Sequence, residues 1–245
     1  MEKLNGDISY ILNILSNDTD VFVKEIVAEN WGCSLEILEK LADDREVDIR
    51  VAVAKNENCS VELLEKLAED ENARVRVSVA QNINCTSEIL KKLSIDEQEL
   101  IKFYIVRNNN CSLDILKKLY EDEWLRENIA ENINCSEEFL EKLSKDNNPR
   151  VRANVAKNPN TSLKILEKLS KDGNDLVRYN VTLNKNCTIK LLEKLSKDEW
   201  LKERIASNSE CSLEILKRLA KDKNNRVRMA VAKNINNFLE NLKKE

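Results

Sequence analysis

The sequence predicts an all-α solenoid of about nine two-helix repeats, forming one domain over residues 1–245. Three observations predict it. One pattern recurs along the chain: Cys or Thr, then Ser or Thr, Leu-x-x-Leu, Asp, a Val-Arg pair and Val-Ala-x-Asn. It is cleanest in Cys59–Asn84 and Cys211–Asn236. The cysteines Cys33, Cys59, Cys85 and Cys111 lie 26 residues apart, and a fixed period of about 20–50 residues marks stacked repeats rather than a globule. The apolar residues within each copy fall at helical spacing. Finally, 3 Gly and 2 Pro in 245 residues leave little to interrupt helices.

With the Cys slot as position 1, copies begin at Asp7, Cys33, Cys59, Cys85, Cys111, Cys135, Thr161, Cys187 and Cys211. The copies at Cys111 and Cys187 have 24 residues and the others 26; positions in the short copies are numbered to keep the second helices aligned. Residues 1–6 read as a lead-in. Residues 237–245 read as a half-repeat, with Phe238, Leu239 and Leu242 in register and Lys243, Lys244 and Glu245 as a charged cap. In each copy, apolar residues at positions 3, 5, 6 and 9 (Leu35, Ile37, Leu38 and Leu41) mark one helix face. The Ser or Thr at position 2 supplies a capping hydroxyl. Position 4 acids are expected to face position 8 bases: Glu36 with Lys40, Glu62 with Lys66, Glu214 with Arg218. A second, shorter helix is expected over positions 15–23, burying 17, 18, 21 and 22 and turning 16, 19, 20 and 23 outward. Asn at position 24 (Asn56, Asn82, Asn108 and onward) fits a left-handed helix end or a backbone-bonding turn. Neither helix buries its stripe alone, so stability must come from stacked neighbours.

The segments Asn158–Leu169 (Asn-Pro-Asn-Thr-Ser-Leu-Lys-Ile-Leu-Glu-Lys-Leu) and Val151–Asn158 (Val-Arg-Ala-Asn-Val-Ala-Lys-Asn) carry a resemblance. The pattern resembles the leucine-rich repeat variant family, related in style to HEAT repeats, over nearly the whole chain. That resemblance implies a right-handed superhelix of α-helices alternating with 3₁₀ or short α-helices, without strands. One architecture of the family adds an iron–sulfur module with clustered cysteines. This chain has no such cluster, so no iron–sulfur site carries over.

The seven cysteines share one register: Cys33, Cys59, Cys85, Cys111, Cys135, Cys187 and Cys211, with Thr161 in the same slot. Helices one spacing apart stand about 8–10 Å from one another, beyond the ~7 Å a disulfide spans. Close zinc-ligand spacing is also missing. These cysteines read as small buried packing residues.

A longer rhythm overlies the repeats. The 24-residue copies share Asp-Glu-Trp-Leu-base-Glu, at Asp122–Glu127 and Asp198–Glu203. Arg-Val-Arg recurs at Arg74–Arg76, Arg150–Arg152 and Arg226–Arg228. Leu100–Phe103 and Leu176–Tyr179 match as well. A three-copy unit of 26, 26 and 24 residues therefore reads as duplicated, with the copy at Cys33 outside the scheme.

Net charge is −4 and pI about 5.4, which argues against nucleic acid as the main partner. A long apolar run is missing, and Met1–Asp7 does not open a secretion signal. The expectation is a soluble, cytoplasmic, monomeric protein that does not engage membranes. The chain contains no His, the commonest general base and metal ligand, and no phosphate-binding Gly loop. No catalytic, cofactor or metal site is expected. Asp at position 12 and Arg or Lys at position 18 recur in every copy (Asp44 and Arg50, Asp70 and Arg76, Asp222 and Arg228), which reads as an ion-pair ladder between repeats.

Function is therefore sought where the copies differ. Position 20 presents Asn128, Asn154 and Asn180 in three consecutive copies, and an amide row can grip an extended peptide backbone. Trp124 lies one turn before Asn128, a pairing similar to the peptide groove of armadillo repeats. Tyr104, Arg107, Lys157, Tyr179 and Leu183 would flank it. The leading expectation is a non-enzymatic scaffold binding a protein or extended peptide on its second helices. One alternative is a HEAT-like nucleic-acid-binding or repair protein using Arg74, Arg150 and Arg226. Another is a structural protein stacking end to end, whose sign would be apolar ends and whose counter-sign is the charged tail.

Overall fold

In the computed structural model, residues 2–242 are described, with only the backbone given for residues 2–5, 237, 238 and 240–242. The tail residues Lys243, Lys244 and Glu245 and the side chains of Phe238 and Leu242 lie outside the described residues. Every regular element among the described residues is helical. Contacts divide the chain into two compact units, Met1–Leu125 and Arg126–Glu245.

Unit 1 comprises α1 (Glu2–Leu15), α2 (Val21–Glu29), α3 (Leu35–Leu41), α4 (Val47–Lys55), α5 (Val61–Leu67), α6 (Ala73–Gln81), α7 (Ser87–Leu93), α8 (Glu99–Arg107) and α9 (Leu113–Leu119). It closes with a 3₁₀ turn, Glu123–Leu125. Unit 2 comprises α10 (Arg126–Glu131), α11 (Glu137–Leu143), α12 (Pro149–Lys157), α13 (Leu163–Leu169), α14 (Asp175–Leu183), α15 (Ile189–Leu195), α16 (Lys202–Ala206), α17 (Leu213–Leu219) and α18 (Asn225–Leu242). Within each unit the second helices pack in sequence: α2, α4, α6 and α8, then α10, α12, α14, α16 and α18.

The first helix of an internal 26-residue repeat has 7 residues and the second has 9, the reverse of the expected order. The first helix starts at the position 2 hydroxyl and stops once its Leu-x-x-Leu face is buried. Ser34, Ser60, Thr86, Ser136, Thr188 and Ser212 accept from the backbone N–H three residues on, satisfying one orphan donor. The second helix runs two residues longer and packs between the second helices on either side, as α6 does between α4 and α8. In the 24-residue repeats it shortens to the 3₁₀ turn plus α10, and to α16.

The expected pairs along the first helices do not form. Lys40 Nζ instead donates to Ser16 Oγ (3.1 Å) and Asn17 Oδ1 (2.5 Å). Lys66 pairs with Asp43 (2.6 Å), and Arg218 donates to Ser196 Oγ. Each base reaches back to the preceding repeat, where a fixed acceptor is closer than the mobile acid on its own helix.

The core is the stacked apolar faces, with Leu38, Ile49, Leu64, Ile105, Leu116 and Ile129 fully buried. All seven cysteines are free and buried in it. Burial pushes the Cys59, Cys85 and Cys135 thiols up to about 12 and those of Cys33, Cys187 and Cys211 to about 11. Cys135 Sγ lies 3.1 Å from Ile129 O. Thr161, in the same slot, donates Oγ1 to Val155 O at 2.5 Å.

Candidate functional site

Two polar ladders fix which side chains remain available. The first is built on the position 24 asparagine. Asn82 donates Nδ2 to Ala54 O (2.7 Å) and Asn56 O (3.0 Å) and accepts from Asn84 N (2.8 Å). Asn56, Asn108, Asn158, Asn184 and Asn234 repeat these donations, each to two carbonyls of the repeat before. Where this asparagine caps the second helix its backbone is extended, as at Asn56 (φ −66°, ψ 132°), whereas Asn234 lies inside α18; no described residue has positive φ. The left-handed helix end is thus corrected, and the backbone-bonding turn is what forms.

The second ladder is ionic. Arg50 pairs with Asp70 (2.6 Å), Arg76 with Asp96 (2.7 Å), Arg152 with Asp172 (2.7 Å) and Lys202 with Asp222 (2.9 Å). Each base therefore bonds the aspartate of the next repeat, while the Nη1 of Arg50, Arg76 and Arg152 also donates to carbonyls of its own, as Arg76 does to Asp70 O and Glu71 O. Burial alone would raise the Asp70 carboxyl. Hydrogen bonds from Arg50 and from the backbone of Asn72 outweigh it, and hold the group below the ordinary carboxylate range. At Asp172 the hydrogen bond from Arg152 is the largest influence and lowers it likewise.

What stays exposed on the second helices is positions 16 and 23. In unit 1, position 16 carries Phe22, Asp48, Arg74, Leu100 and Trp124; in unit 2, Arg150, Leu176, Trp200 and Arg226. Positions 19 and 20, expected outward, are half-buried or buried in most copies: Val51 and Ala153 at 19, Ala52, Ser78 and Asn180 at 20. The reason is that position 20 leans on the preceding repeat's backbone. Asn154 Nδ2 donates to Glu127 O (2.8 Å) and Asn180 Nδ2 to Ala153 O (2.9 Å).

A concavity lies in unit 2. It is a cleft of about 730 Å³ lined by Tyr179, Glu199, Trp200, Glu203, Arg204, Ser207, Asn224 and Arg226. The Tyr179 and Trp200 rings meet edge to face, with centroids 5.7 Å apart and planes at 68°. The Arg204 guanidinium lies over the Tyr179 ring, 5.7 Å from its centroid, a cation–π arrangement. Arg204 Nε is buried without a hydrogen-bond partner, an uncommon state for a donor. Trp200 is 56% exposed. Glu199 is occupied by Lys202 (2.5 Å).

The comparisons with known proteins bear on this architecture. The HEAT repeat family matches residues 213–242. A solved structure described as a leucine-rich repeat variant with a novel repetitive protein structural motif is similar over 92% of this chain and 81% of that one. Its sequence identity is 23% and the TM-score 0.53. No curated protein matches the chain. The fold is a helical repeat of the leucine-rich repeat variant and HEAT-like kind. The alternation implied by the resemblance is realised with short α-helices as second elements, 3₁₀ geometry appearing at Glu123–Leu125.

Within this helical-repeat protein the sequence candidates separate. In unit 1, Tyr104 meets Phe103 edge to face (5.2 Å, 81°). Arg107 lies over the Phe103 ring at 5.3 Å, and Trp124 is 45% exposed. In unit 2, Asn128 is half-buried on α10, and the donors of Asn154 and Asn180 are engaged as described. Asn154 and Asn180 thus each commit one Nδ2 hydrogen bond to the backbone of the preceding repeat, so these two amides contribute to stacking. Lys157 pairs with Glu131 at 3.5 Å. Leu183 is exposed at position 23, and Tyr179 forms the wall of the cleft. Sequence reasoning missed Trp200, Arg204 and Arg226 as partners of Tyr179. The available signal was the recurrence of an aromatic at position 19 followed by Trp at position 16 of the next copy.

Proposed function

We propose that this protein is a non-enzymatic scaffold that binds a protein or peptide on the exposed positions 16 and 23 of its second helices. The Tyr179–Trp200–Arg204 cleft is the anchor. The observation that carries the reading is an exposed Trp200 against a half-buried Tyr179, with a stacked arginine whose buried Nε–H lacks an acceptor. Tyr, Trp and Arg dominate the energetics of protein interfaces, and a partner carbonyl or carboxylate would complete Arg204. The absence of His from the sequence supports the non-catalytic reading. Nucleic-acid binding is less well supported, because Arg74 is matched by Asp48 (2.8 Å) and Lys157 by Glu131.

Peptide-display selection on the folded protein tests the proposal. Selected peptides should lose at least about tenfold in affinity against Trp200→Ala and against Arg204→Ala, a loss of about 1.4 kcal/mol each. Equal binding to wild type and both variants would sink the cleft as anchor. A salt-steep affinity for random-sequence DNA or RNA would favour the nucleic-acid reading instead.

A further inference from the structure

The outer face of the first repeat is apolar and open. Ile11, Ile14 and Leu15 on α1, with Ile26 and Trp31 on and after α2, are all exposed, Trp31 to 88%. The register equivalents of Ile11 and Leu15 in the next copy, Ile37 and Leu41, are buried at 3% and 1%. An apolar face of this extent marks an interaction surface.

The ladders also stop open at the first repeat, and the ionic one at the last repeat as well. Asp18, the position 12 carboxylate of the first repeat, is oriented by Asp20 N (2.8 Å) in the way that Glu46 N orients Asp44. Asp44 also receives Lys24, whereas Asp18 has no ion pair. Asn30 Oδ1 accepts from Gly32 N, but its Nδ2 lacks the two carbonyls that Asn56 Nδ2 finds. At the other end, Arg228 Nη1 is held by Asp222 O (2.7 Å) and Lys223 O (2.8 Å). Those are the contacts that hold Arg76, whose Nε and Nη2 reach Asp96. The corresponding Nε and Nη2 fork of Arg228 has no carboxylate.

We infer that the open face of the first repeat takes the last repeat of a second copy of this chain, with Arg228 of one copy pairing with Asp18 of the other. Register supports the same docking. Position 20 lies on position 19 of the preceding repeat, as Asn180 does on Ala153. That rule places Ile26 (66% exposed) on Met229 (56% exposed). Charge agrees in sign: Asp18, Asp20, Glu25 and Glu29 belong to the first repeat, and Lys221, Lys223 and Arg228 to the last. The contact is heterologous, so it propagates rather than closing at two subunits. Position 16 stays outside the stack, so this inference is independent of the cleft.

Sedimentation velocity on the full chain, from micromolar to hundred-micromolar, provides the test. Species larger than a dimer should grow in with concentration. Asp18→Arg and Arg228→Asp should each weaken association at least about tenfold, and an equimolar mixture of the two should restore it, because the reversed pair re-forms. Ile26→Glu should abolish assembly while helix content by circular dichroism stays at the wild-type level. A monomer at every concentration, a dimer as end point, or variants that assemble as wild type would each overturn the inference.

Discussion

Replacing Asn82 with Ala removes one rung of the asparagine ladder, and its cost can be worked from the geometry. The side chain is 5% exposed. It donates to Ala54 O and Asn56 O, and accepts from Asn84 N. Three buried bonds at a net value of about 1 kcal/mol each give a loss of about 3 kcal/mol. Against the roughly 5–15 kcal/mol that a typical domain has in reserve, that is a large fraction. Asn58 is the control. Its Nδ2 donates to Trp31 O (2.7 Å) and Cys33 O (3.1 Å), but at an exposed edge where water can substitute. Asn58→Ala should therefore cost less than about 1 kcal/mol. Urea unfolding followed by circular dichroism reads both, through the midpoint at constant slope. If Asn82→Ala shifts the midpoint no further than Asn58→Ala, the ladder is not a principal source of stability and the reasoning fails.

Other expectations follow from the same contacts. Because Asp70, Asp96 and Asp172 sit below their ordinary value of 3.8 in the folded state, they bind fewer protons than in the unfolded chain. Their stabilisation is full above that value and is lost as pH falls below it, so thermal midpoints should be flat near neutrality and drop in acid. A midpoint that rises on acidification would contradict the sign. With their thiols pushed up to about 11–12, the buried cysteines should resist maleimide at neutral pH until the protein is unfolded. Rapid native labelling of Cys59 or Cys85 would count against this. Cys135→Thr should leave stability within about 1 kcal/mol, since Thr161 already makes the corresponding bond. Finally, Trp200→Ala should change tryptophan fluorescence with little loss of stability, of order 0.5 kcal/mol for an exposed side chain; a collapse of the fold would mean that Trp200 is structural.

The repeats were readable because their signal is periodic. The Leu-x-x-Leu face, the position 2 hydroxyl and the Asp–Arg ladder recur at one spacing and obey local rules. The direction of side chains that meet another repeat was not readable. Lys40 and Lys66 had plausible partners on their own helices, yet rigid acceptors one repeat back were nearer. Asn154 and Asn180 looked free because helical geometry alone turns position 20 outward. The stacking offset then puts that position against a neighbour's carbonyls. The cleft was harder still. Tyr179 and Trp200 are far apart in sequence and belong to different copies, so their meeting depends on the same offset.

The asparagine ladder also bears on how such a chain changes over time. Each Nδ2 grips main-chain carbonyls, which every residue type provides. A copy can therefore be followed by any other copy without its side chains being matched in advance. Whole units can be doubled or lost with the junction intact, as the twofold recurrence of the 26-26-24 block suggests. Single substitutions at positions 16 and 23 meanwhile remain free to diverge. The frame tolerates recombination, while the exposed row is free to vary from copy to copy.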